Sequence, residues 1–365
     1  MTKDSALEIR AIRATAVEVP MRHVLGTSQA VVRAAPLMLV DVETEAGITG
    51  HAYLFCYVPS AARGIAALLE DIERRVKGQR VAPVEAWTRL ARGFTLIGVQ
   101  GIVRMAMAGF DVACWDVLAR AAGLPLAALL GASPRPVRAY NSCGLGLMGP
   151  DALRRETDEL LEGGFRAVKL RLGYATLAED LAAARAVRER LPAGVELMVD
   201  YNQALTVDEA IARGRALDRE GIAWIEEPIR HDDYRGCARV ADALDMPVQI
   251  GENFSQVHAM AEALDADACD LVMPDLERIG GVTGWQRAAA LAAARGLPMS
   301  SHLFPEVSAQ LLCATPTAHW LEYVDWAAPL LQEPLAIVEG LARTPSAPGN
   351  GLAWDRAAVE RHRMA

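Results

Sequence analysis

Four carboxylates follow short apolar segments in the middle of the chain at nearly constant spacing. The segments are ELMVD ending at Asp200, AWIE ending at Glu226, VQIGE ending at Glu252 and LVMPD ending at Asp275. Successive acids are separated by 26, 26 and 23 residues, a length that suits one strand plus one helix. Acids at the carboxyl ends of consecutive parallel strands converge at one end of a barrel. The spacing therefore predicts a single acidic site there.

Asp200, Glu226 and Glu252 are the candidate metal ligands. Three like charges brought this close cannot all remain ionised without a cation. A set of oxygen ligands without Cys or His suits Mg²⁺. For any one of these acids, the alternative is that a strand-end carboxylate caps the next helix. Their common spacing favours a metal site, which we predict to hold one Mg²⁺ per subunit.

Two cations precede these acids in the segment AVKLRLGY. Lys169 and Arg171 lie two residues apart, so a strand would place both side chains on the same face. If that face points into the barrel, both cations lie beside the metal, and the acids opposite supply their ion partners. The alternative is a solvated pair at the end of a strand.

His302, in PMSSHLF, is the candidate general base on the opposite side, with Asp275 as its partner. A carboxylate at one imidazole nitrogen fixes the tautomer and raises the basicity of the ring. Glu322, in HWLEY, is expected beside His302 and remote from cations, so that it stays protonated and donates a hydrogen bond. This arrangement suits removal of the α-proton of a carboxylate, because the resulting enediolate requires concentrated positive charge.

The elements that position these residues alternate along the chain. From Val137 onwards strand candidates alternate with helical segments, which is typical of a parallel barrel. Residues 9–58 alternate with period 2 and predict an antiparallel meander, and residues 61–130 show helical periodicity. The eight strand candidates are Val137–Cys143, Arg166–Arg171, Glu196–Tyr201, Ala223–Glu227, Val248–Glu252, Leu271–Pro274, Pro298–His302 and Trp320–Tyr323.

The predicted fold is of the α/β class, a (β/α)7β TIM-like barrel with an N-terminal α+β capping domain. The capping domain spans residues 1–133, the barrel spans residues 134–330, and residues 331–365 return to the capping domain. Within the first domain, Met21–Ala35 is predicted as a long loop that acts as a substrate lid. The spacing alone is equally compatible with a plain surface excursion.

Composition excludes several classes of function. The chain of 365 residues is 52% hydrophobic and 23% charged, as in a globular protein, and no apolar run approaches the roughly 18 residues of a membrane span. The first ten residues carry charges and no apolar core, which predicts a cytoplasmic location. The six cysteines form no C-x-x-C pair, so neither a zinc site nor a disulfide framework is expected. A net charge of −9 without a basic cluster disfavours nucleic acid and membrane partners and leaves a small molecule.

Taken together, these segments resemble the enolase superfamily, and within it the mandelate racemase subgroup, over nearly the whole chain. The matching segments are GHAYLFCY, MAMAGFDVACWD, FRAVKLRLGY, MVDYNQ, WIEEP, GEN, MPD with IGGVTGW, MSSHLF and TPTAHWLE. The resemblance implies a homo-oligomer, an octamer, and the following roles: Mg²⁺ ligands Asp200, Glu226 and Glu252; a substrate-carboxylate contact at Lys169; a base formed by His302 and Asp275; a hydrogen-bond donor at Glu322; polar site residues Ser142 and Asn202; and a specificity lid at Met21–Ala35.

Two residues depart from the pattern of this subgroup. Arg171 stands where mandelate racemase has the second lysine of Lys-x-Lys, its other base, and Gln29 stands at a lid position where that enzyme has valine. The resemblance implies α-proton abstraction from a 2-hydroxycarboxylate, a metal-stabilised enediolate, and then racemisation or epimerisation. The alternative within the family is an acid-sugar dehydratase with His302 as its single base. The alternative from another class is a barrel that binds metal and carboxylate without turnover.

Overall fold

The first domain is a three-stranded antiparallel sheet covered by helices. The computed structural model describes residues 7–364, so the first ten residues, from which a cytoplasmic location is predicted, lie mostly outside the described part. The predicted meander is confirmed, with sheet order β1-β2-β3 and a turn at Gly47, whose φ is 76°. The elements are β1 (Ile9–Gly26), β2 (Val31–Thr44), β3 (Thr49–Phe55), α1 (Pro59–Val76), α2 (Pro83–Gly93), α3 (Gly101–Ala122) and α4 (Leu126–Leu129).

The long helix α3 packs closely on this sheet because small residues permit the approach. A Cβ at Gly50 would lie 2.0 Å from the carbonyl oxygen of Ala113, so only glycine fits there. The helix is apolar on almost every side and contacts both the sheet and helices of the second domain. It ends at Gly123 in the left-handed conformation with φ 68°, as glycine after a helix permits. The first domain is thereby fixed against the barrel that carries the site.

The second domain is the predicted barrel. Strands β4 to β9 pair in parallel and in sequence order, and β10 pairs in parallel with β4. The elements are β4 (Val137–Asn141), α5 (Pro150–Leu160), β5 (Ala167–Arg171), α6 (Leu177–Arg188), β6 (Glu196–Asp200), α7 (Val207–Leu217), β7 (Ile222–Glu226), α8 (Tyr234–Ala243), β8 (Val248–Ile250), α9 (Val257–Asp265), β9 (Leu271–Val272), α10 (Leu276–Ile279), α11 (Gly281–Arg295), α12 (Pro305–Cys313) and β10 (Leu321–Tyr323).

The predicted strand Pro298–His302 is wrong as a regular strand. This segment contributes only isolated bridges, which join Met299 to Val272 and Ala318, and His302 to Asp275. Its backbone still closes the barrel, since the N–H of Ser300 donates to Val272 and the N–H of Ser301 donates to Trp320. A strand cannot continue past His302, because Leu303 and Phe304 have left-handed backbone conformations, with φ angles of 49° and 51°.

The predicted loop Met21–Ala35 is also wrong. Most of this stretch continues β1 and β2 as a long hairpin, with Leu25 opposite Val32 and Gly26 opposite Val31, and only residues 27–30 form the turn. The strands are hard to recognise in the sequence because this end of the hairpin projects beyond the core and its exposed residues do not alternate cleanly. The hairpin tip nevertheless lies over the mouth of the barrel, as the lid hypothesis requires.

The carboxyl-terminal segment contacts both domains. Strands β11 (Ile337–Val338) and β12 (Leu341–Ala342) form a short hairpin, and β12 pairs with β4 of the barrel. The chain then reaches the first domain, where Trp354 Nε1 donates to Asp41 Oδ1 at 2.8 Å, and ends in helix α13 (Arg356–Arg361). No helix within residues 7–364 has the length and apolarity needed to cross a membrane.

Candidate active site

Three carboxylates meet at the carboxyl end of the barrel strands. Asp200 and Glu226 are the last residues of β6 and β7 and are paired in register, and Glu252 lies just beyond β8. One oxygen from each lies within 4.8 Å of the others. Burial and the neighbouring carboxylates raise the pKa of Glu226 to about 8. This oxygen-only set fits a hard divalent cation, which would offset the mutual repulsion of the acids.

Lys169 is completely buried among these acids. Its Nζ lies 2.5 Å from Glu226 Oε1, 2.8 Å from Glu322 Oε1 and 3.4 Å from Asp200 Oδ2. Burial lowers the pKa of Lys169, but the attraction of Glu226 and Glu322 outweighs burial and raises it. The side chain is therefore a fixed positive charge that also lines the cavity of the site.

Arg171 lines the same cavity but does not pair with the acids as expected. Its Nη1 donates to the carbonyl oxygens of Ser142 at 3.0 Å and Gly144 at 2.8 Å, and its Nη2 donates to Ser142 Oγ at 2.8 Å. The expectation of carboxylate partners is wrong for this residue, because the loop after β4 supplies neutral acceptors instead. The guanidinium is thus fixed in position by neutral acceptors, and no carboxylate offsets its positive charge by direct contact.

His302 and Asp275 form the expected pair on the opposite side. His302 Nδ1 lies 2.6 Å from Asp275 Oδ2, and the other ring nitrogen, Nε2, lies 3.3 Å from Glu252 Oε2. Burial lowers the pKa of His302, but Glu252, Glu322 and the hydrogen bond to Asp275 outweigh burial and raise it to about 10. The Asp275 carboxylate also accepts the N–H groups of residues 277 and 278 at the start of α10, which fixes its orientation.

Glu322 is not remote from cations, so that part of its prediction is wrong. Its Oε1 lies 2.8 Å from Lys169 Nζ and accepts a hydrogen bond from Ser142 Oγ at 2.7 Å, and its Oε2 accepts the N–H of Leu303 at 2.9 Å. Burial raises the pKa of Glu322, but Lys169 and His302 outweigh burial and lower it. The carboxyl group is therefore ionised in this arrangement and cannot donate a hydrogen bond.

The three residues predicted to contact substrate have different positions. Asn202 lines the cavity. Its N–H donates to Asp200 Oδ1 at 2.8 Å, and its Nδ2 donates to Asp200 Oδ2 at 3.1 Å. Gln29, at the hairpin tip, also lines the cavity and donates from Nε2 to the Asn202 carbonyl oxygen at 3.0 Å. Ser142 is fully buried behind Arg171 and Glu322, and its hydroxyl contacts those two side chains. Its contact with substrate stays a prediction.

The sequence interpretation missed a further group on the cavity wall. Arg278 donates from Nη1 to Asn253 Oδ1 and to the Glu252 carbonyl oxygen, and its guanidinium lies 4.8 Å from the centre of the Tyr57 ring. Asn253 in turn donates to the buried Glu227. The sequence signal was a charged residue three positions after Asp275, but only the fold shows that α10 directs it into the site.

The cavity that these residues enclose has a volume of about 250 Å³. Its barrel side is mainly polar and charged, whereas the capping domain, Leu303 and the residues after β10 supply apolar walls. The apolar lining residues are Leu25, Ala30, Val32, Phe55, Tyr57, Leu303 and Trp326. The site therefore fits a small molecule whose anionic end faces Lys169, Arg171 and the divalent cation that the acids would hold.

Two family models match the chain. The first, described as the mandelate racemase/muconate lactonizing enzyme N-terminal domain, matches residues 10–131, and the second, described as enolase C-terminal domain-like, matches residues 152–358. The L-talarate/galactarate dehydratase of Salmonella typhimurium is 32% identical over 306 residues, which is 83% of this chain and 77% of the relative. The D-galactarolactone cycloisomerase of Agrobacterium fabrum is 31% identical over 349 residues, which is 90% and 91% of the two chains.

Solved structures extend the likeness over the entire fold. A crystal structure of an enolase from the alpha proteobacterium bal199 with bound magnesium has a TM-score of 0.96 at 43% identity and covers 98% of this chain and 99% of its own. An enolase from Bradyrhizobium in complex with magnesium and mandelic acid has a TM-score of 0.94 at 40% identity and covers 100% of both chains.

Proposed function

The chain belongs to the mandelate racemase/muconate lactonizing enzyme family of the enolase superfamily, and from this premise we propose that it dehydrates a 2,3-dihydroxy acid with Mg²⁺ and one base. Enzymes of this superfamily are isomerases or lyases, and the resemblance alone favours neither class here. The residues on the two faces of the cavity support the lyase.

The arrangement of Arg171 is the observation that carries this proposal. An arginine side chain has a pKa above about 12, so at neutral pH almost none of it is in the form that accepts a proton. Three hydrogen bonds to Ser142 and Gly144 fix the position of the Arg171 guanidinium at the cavity. Racemisation by direct proton transfer needs a base on each face of the substrate, whereas dehydration can proceed with His302 alone.

The metal ligands are Asp200, Glu226 and Glu252 in this proposal. Their oxygens lie close enough together to share one ion, and no other group of acids, His or Cys within residues 7–364 does so. Bound there, Mg²⁺ supplies positive charge for the carboxylate of the substrate and for the enediolate that forms from it. The magnesium in the structures of similar proteins supports this choice of ion.

The chain's own residues perform the proton transfers. Glu252 makes the largest contribution that raises the pKa of His302, and a cation held by Glu252 would offset it, so that the imidazole is neutral when substrate binds. His302 Nε2 then accepts the α-proton as the C–H bond breaks, while Asp275 holds the other ring nitrogen. The charges of Lys169 and Arg171 stabilise the enediolate. The protonated His302 then returns the proton to the 3-hydroxyl group, which leaves as water when its bond to carbon breaks. A double bond forms between C2 and C3, and the enol product tautomerises to a 2-keto-3-deoxy acid.

The outer part of the cavity supports a hydroxylated substrate. Asn202 Oδ1 is buried and has no hydrogen-bond partner among the described residues, so it can accept a bond from a substrate hydroxyl group. Gln29, Gln203 and Arg278 also line this cavity. Their donors and acceptors suit the successive hydroxyl groups of an acid sugar.

A second candidate is proton exchange or racemisation of an aryl 2-hydroxy acid. The rings of Phe55, Tyr57 and Trp326 form an aromatic wall, with centroid distances of 4.4 Å between Phe55 and Tyr57 and 4.9 Å between Phe55 and Trp326. A phenyl group packs well against such a wall. The mandelic acid in the Bradyrhizobium structure supports this candidate.

For either enzyme we propose a homo-octamer, because the chain resembles the mandelate racemase subgroup.

A product assay tests the proposed function. Protein loaded with Mg²⁺ is incubated with a panel of aldonic and aldaric acids and with both mandelate enantiomers, and 2-keto acids and optical rotation are followed. We expect 2-keto-3-deoxy acid from at least one acid sugar, and loss of this activity after exhaustive chelation and in Asp200→Asn. Activity that persists when metal analysis shows complete removal would contradict the proposal. Inversion of mandelate without any keto acid would favour the second candidate.

A further inference from the structure

The tip of the β1–β2 hairpin is attached to the barrel at two consecutive backbone carbonyl groups. Ser28 Oγ donates to the carbonyl oxygen of Tyr201 at 3.0 Å and lies 3.4 Å from that of Asn202. Gln29 Nε2 donates to the same Asn202 oxygen at 3.0 Å. The tip is itself ordered, because Thr27 Oγ1 accepts the N–H groups of residues 29 and 30. An ordered turn therefore presents its donors to Tyr201 and Asn202, the two residues that follow β6.

Asn202 connects this contact to a carboxylate of the site. While its carbonyl group accepts from the hairpin, its own N–H donates to Asp200 Oδ1 at 2.8 Å and its Nδ2 donates to Asp200 Oδ2 at 3.1 Å. Both oxygens of Asp200 thus accept a hydrogen bond from Asn202, and Oδ2 also lies 3.4 Å from Lys169 Nζ. A change in the backbone at Asn202 would turn the Asp200 carboxylate as well.

The backbone at this point needs support from its surroundings. Asn202 has a φ of 46° and Gln203 a φ of 65°, two consecutive left-handed residues without a glycine. Such conformations persist where neighbouring groups hold them. The N–H of Gln203 is held by the Glu227 carbonyl oxygen at 2.8 Å, and the carbonyl group of Asn202 is held by the hairpin tip. The tip is therefore one of the restraints on this strained turn.

We propose that binding of the divalent cation and seating of the hairpin tip are coupled through Asn202, with Ser28 and Gln29 as positioning residues for Asp200. The inference rests on the proposed function, because it takes Asp200 as a metal ligand. Detachment of the tip releases the Asn202 carbonyl group and weakens the two hydrogen bonds from Asn202 that orient the Asp200 carboxylate. Coupling between two events is reciprocal, so the cation favours the seated tip by the same factor that the tip favours the cation.

Calorimetric titration of the metal-free protein with Mg²⁺, without substrate, measures this coupling. The variants are wild type, the double variant Ser28→Ala/Gln29→Ala, and Val31→Ala as a matched control. Val31 lies on the same hairpin, is 61% exposed and pairs through its backbone with Gly26. We expect the double variant to bind Mg²⁺ about tenfold more weakly, within the usual range of coupling between sites, and Val31→Ala to bind as wild type does.

Amide hydrogen exchange measures the reverse effect. The N–H of Thr27 bonds to Ala30 across the turn, so its exchange reports on the order of the tip. We expect Mg²⁺ to slow exchange at residues 27–30 in the wild type and to have a smaller effect in the double variant. Gln29→Ala alone, at an exposed position, gives the same test if the double variant does not fold.

The possible results separate this inference from the proposed function. A wild-type protein that binds no Mg²⁺ would overturn the proposed metal site and the inference with it. Equal Mg²⁺ affinity in wild type and double variant, with exchange at the tip unaffected by Mg²⁺, would overturn only the coupling. Weakening of the same size in Val31→Ala would also overturn it, because the effect would then not depend on the contact with Asn202.

Discussion

At the scale of single residues, the chemistry depends on one imidazole with a fixed orientation. The Asp275 carboxylate holds His302 Nδ1 and also caps helix α10, so neither the ring nor the acid can turn freely. The Nε2 atom is left facing Glu252 and Glu322, at 3.3 and 3.8 Å. A base fixed in this way has lost most of its orientational freedom before substrate binds, which favours proton transfer.

The variant His302→Asn tests this role. Asparagine is smaller and can still contact Asp275, so we expect the fold and Mg²⁺ affinity to be retained while turnover falls by at least about 10²-fold, the usual effect of losing a general base. Turnover and calorimetric titration with Mg²⁺ are the measurements. His231→Asn serves as the control, because His231 lies near the site but contacts Gln203. A near-wild-type rate in His302→Asn would show that another group removes the proton.

The sequence predicted the positions of site residues well where those residues end a strand. The spacing of Asp200, Glu226 and Glu252 predicted that these acids would lie together, and the structure brings them together. The surroundings of Arg171 and Glu322 could not be predicted in the same way. Their partners come from the loop after β4 and from Lys169 on β5, and such contacts depend on how the ends of the barrel strands are packed.

At the scale of elements, the barrel strands, the β1–β2 hairpin and the segment Pro298–His302 show what periodicity can and cannot predict. The barrel strands were recognisable because buried apolar runs alternate with helices. The outer half of the β1–β2 hairpin was not, because both faces near its tip are partly exposed and its turn is only residues 27–30. The segment Pro298–His302 was predicted as a strand because it occupies the next strand position in the alternation with helices, but its backbone makes only isolated bridges.

His319 makes the barrel sensitive to acid. It lies against the Trp224 ring at 5.8 Å and 3.4 Å from Ser300 Oγ. Burial, with a smaller effect of Arg138, lowers the pKa of His319 from 6.5 to about 4. Between these two values the unfolded chain binds a proton that the folded protein does not, so stability rises with pH through this window and is lost as pH falls from about 6.5 to 4.

The variant His319→Gln removes this titrating group. We expect the wild type to lose more free energy of unfolding than His319→Gln when pH is lowered from 7 to about 4.5, because only the wild type has an unfolded state that is stabilised by protonation at this site. Urea denaturation at a series of pH values measures the difference. The exposed His258 on α9 provides the control variant His258→Gln, which should follow the wild type. Parallel profiles for wild type and His319→Gln would contradict the account.

At the scale of the whole molecule, the carboxyl-terminal segment fixes the capping domain on the barrel. Asp41 on β2 accepts hydrogen bonds from His51 Nδ1 at 2.7 Å and from Trp354 Nε1 at 2.8 Å. Asn350 adds a bond from Nδ2 to the His51 carbonyl oxygen at 2.7 Å. Residues of both domains line the cavity, so these contacts, although distant from it, help to fix the capping-domain wall relative to the barrel wall. The sequence suggested that the tail returns to the first domain, but not which atoms it contacts.

The variant Trp354→Phe tests the contribution of the tail. It retains the ring packing but leaves the buried Asp41 carboxylate without one of its donors, so we expect the free energy of unfolding to fall by about 1–3 kcal/mol. Thermal and urea denaturation measure the change. Trp87→Phe is the control, because the described residues provide no hydrogen-bond partner for the Trp87 indole N–H, and it should cost less. Equal losses in the two variants would show that the Asp41 contact contributes little.

The central claim is that a single base, His302, removes the α-proton from one face of the substrate. It is tested most directly by following deuterium uptake from D₂O at the α-carbon, together with elimination, for both C2 epimers of an active acid. We expect uptake and elimination only for the epimer whose α-hydrogen faces His302, with Arg171→Lys gaining exchange of the other epimer because lysine can lose its proton. Equal α-deuterium uptake from both epimers in the wild type would contradict the claim, because it would require a second base on the Arg171 face.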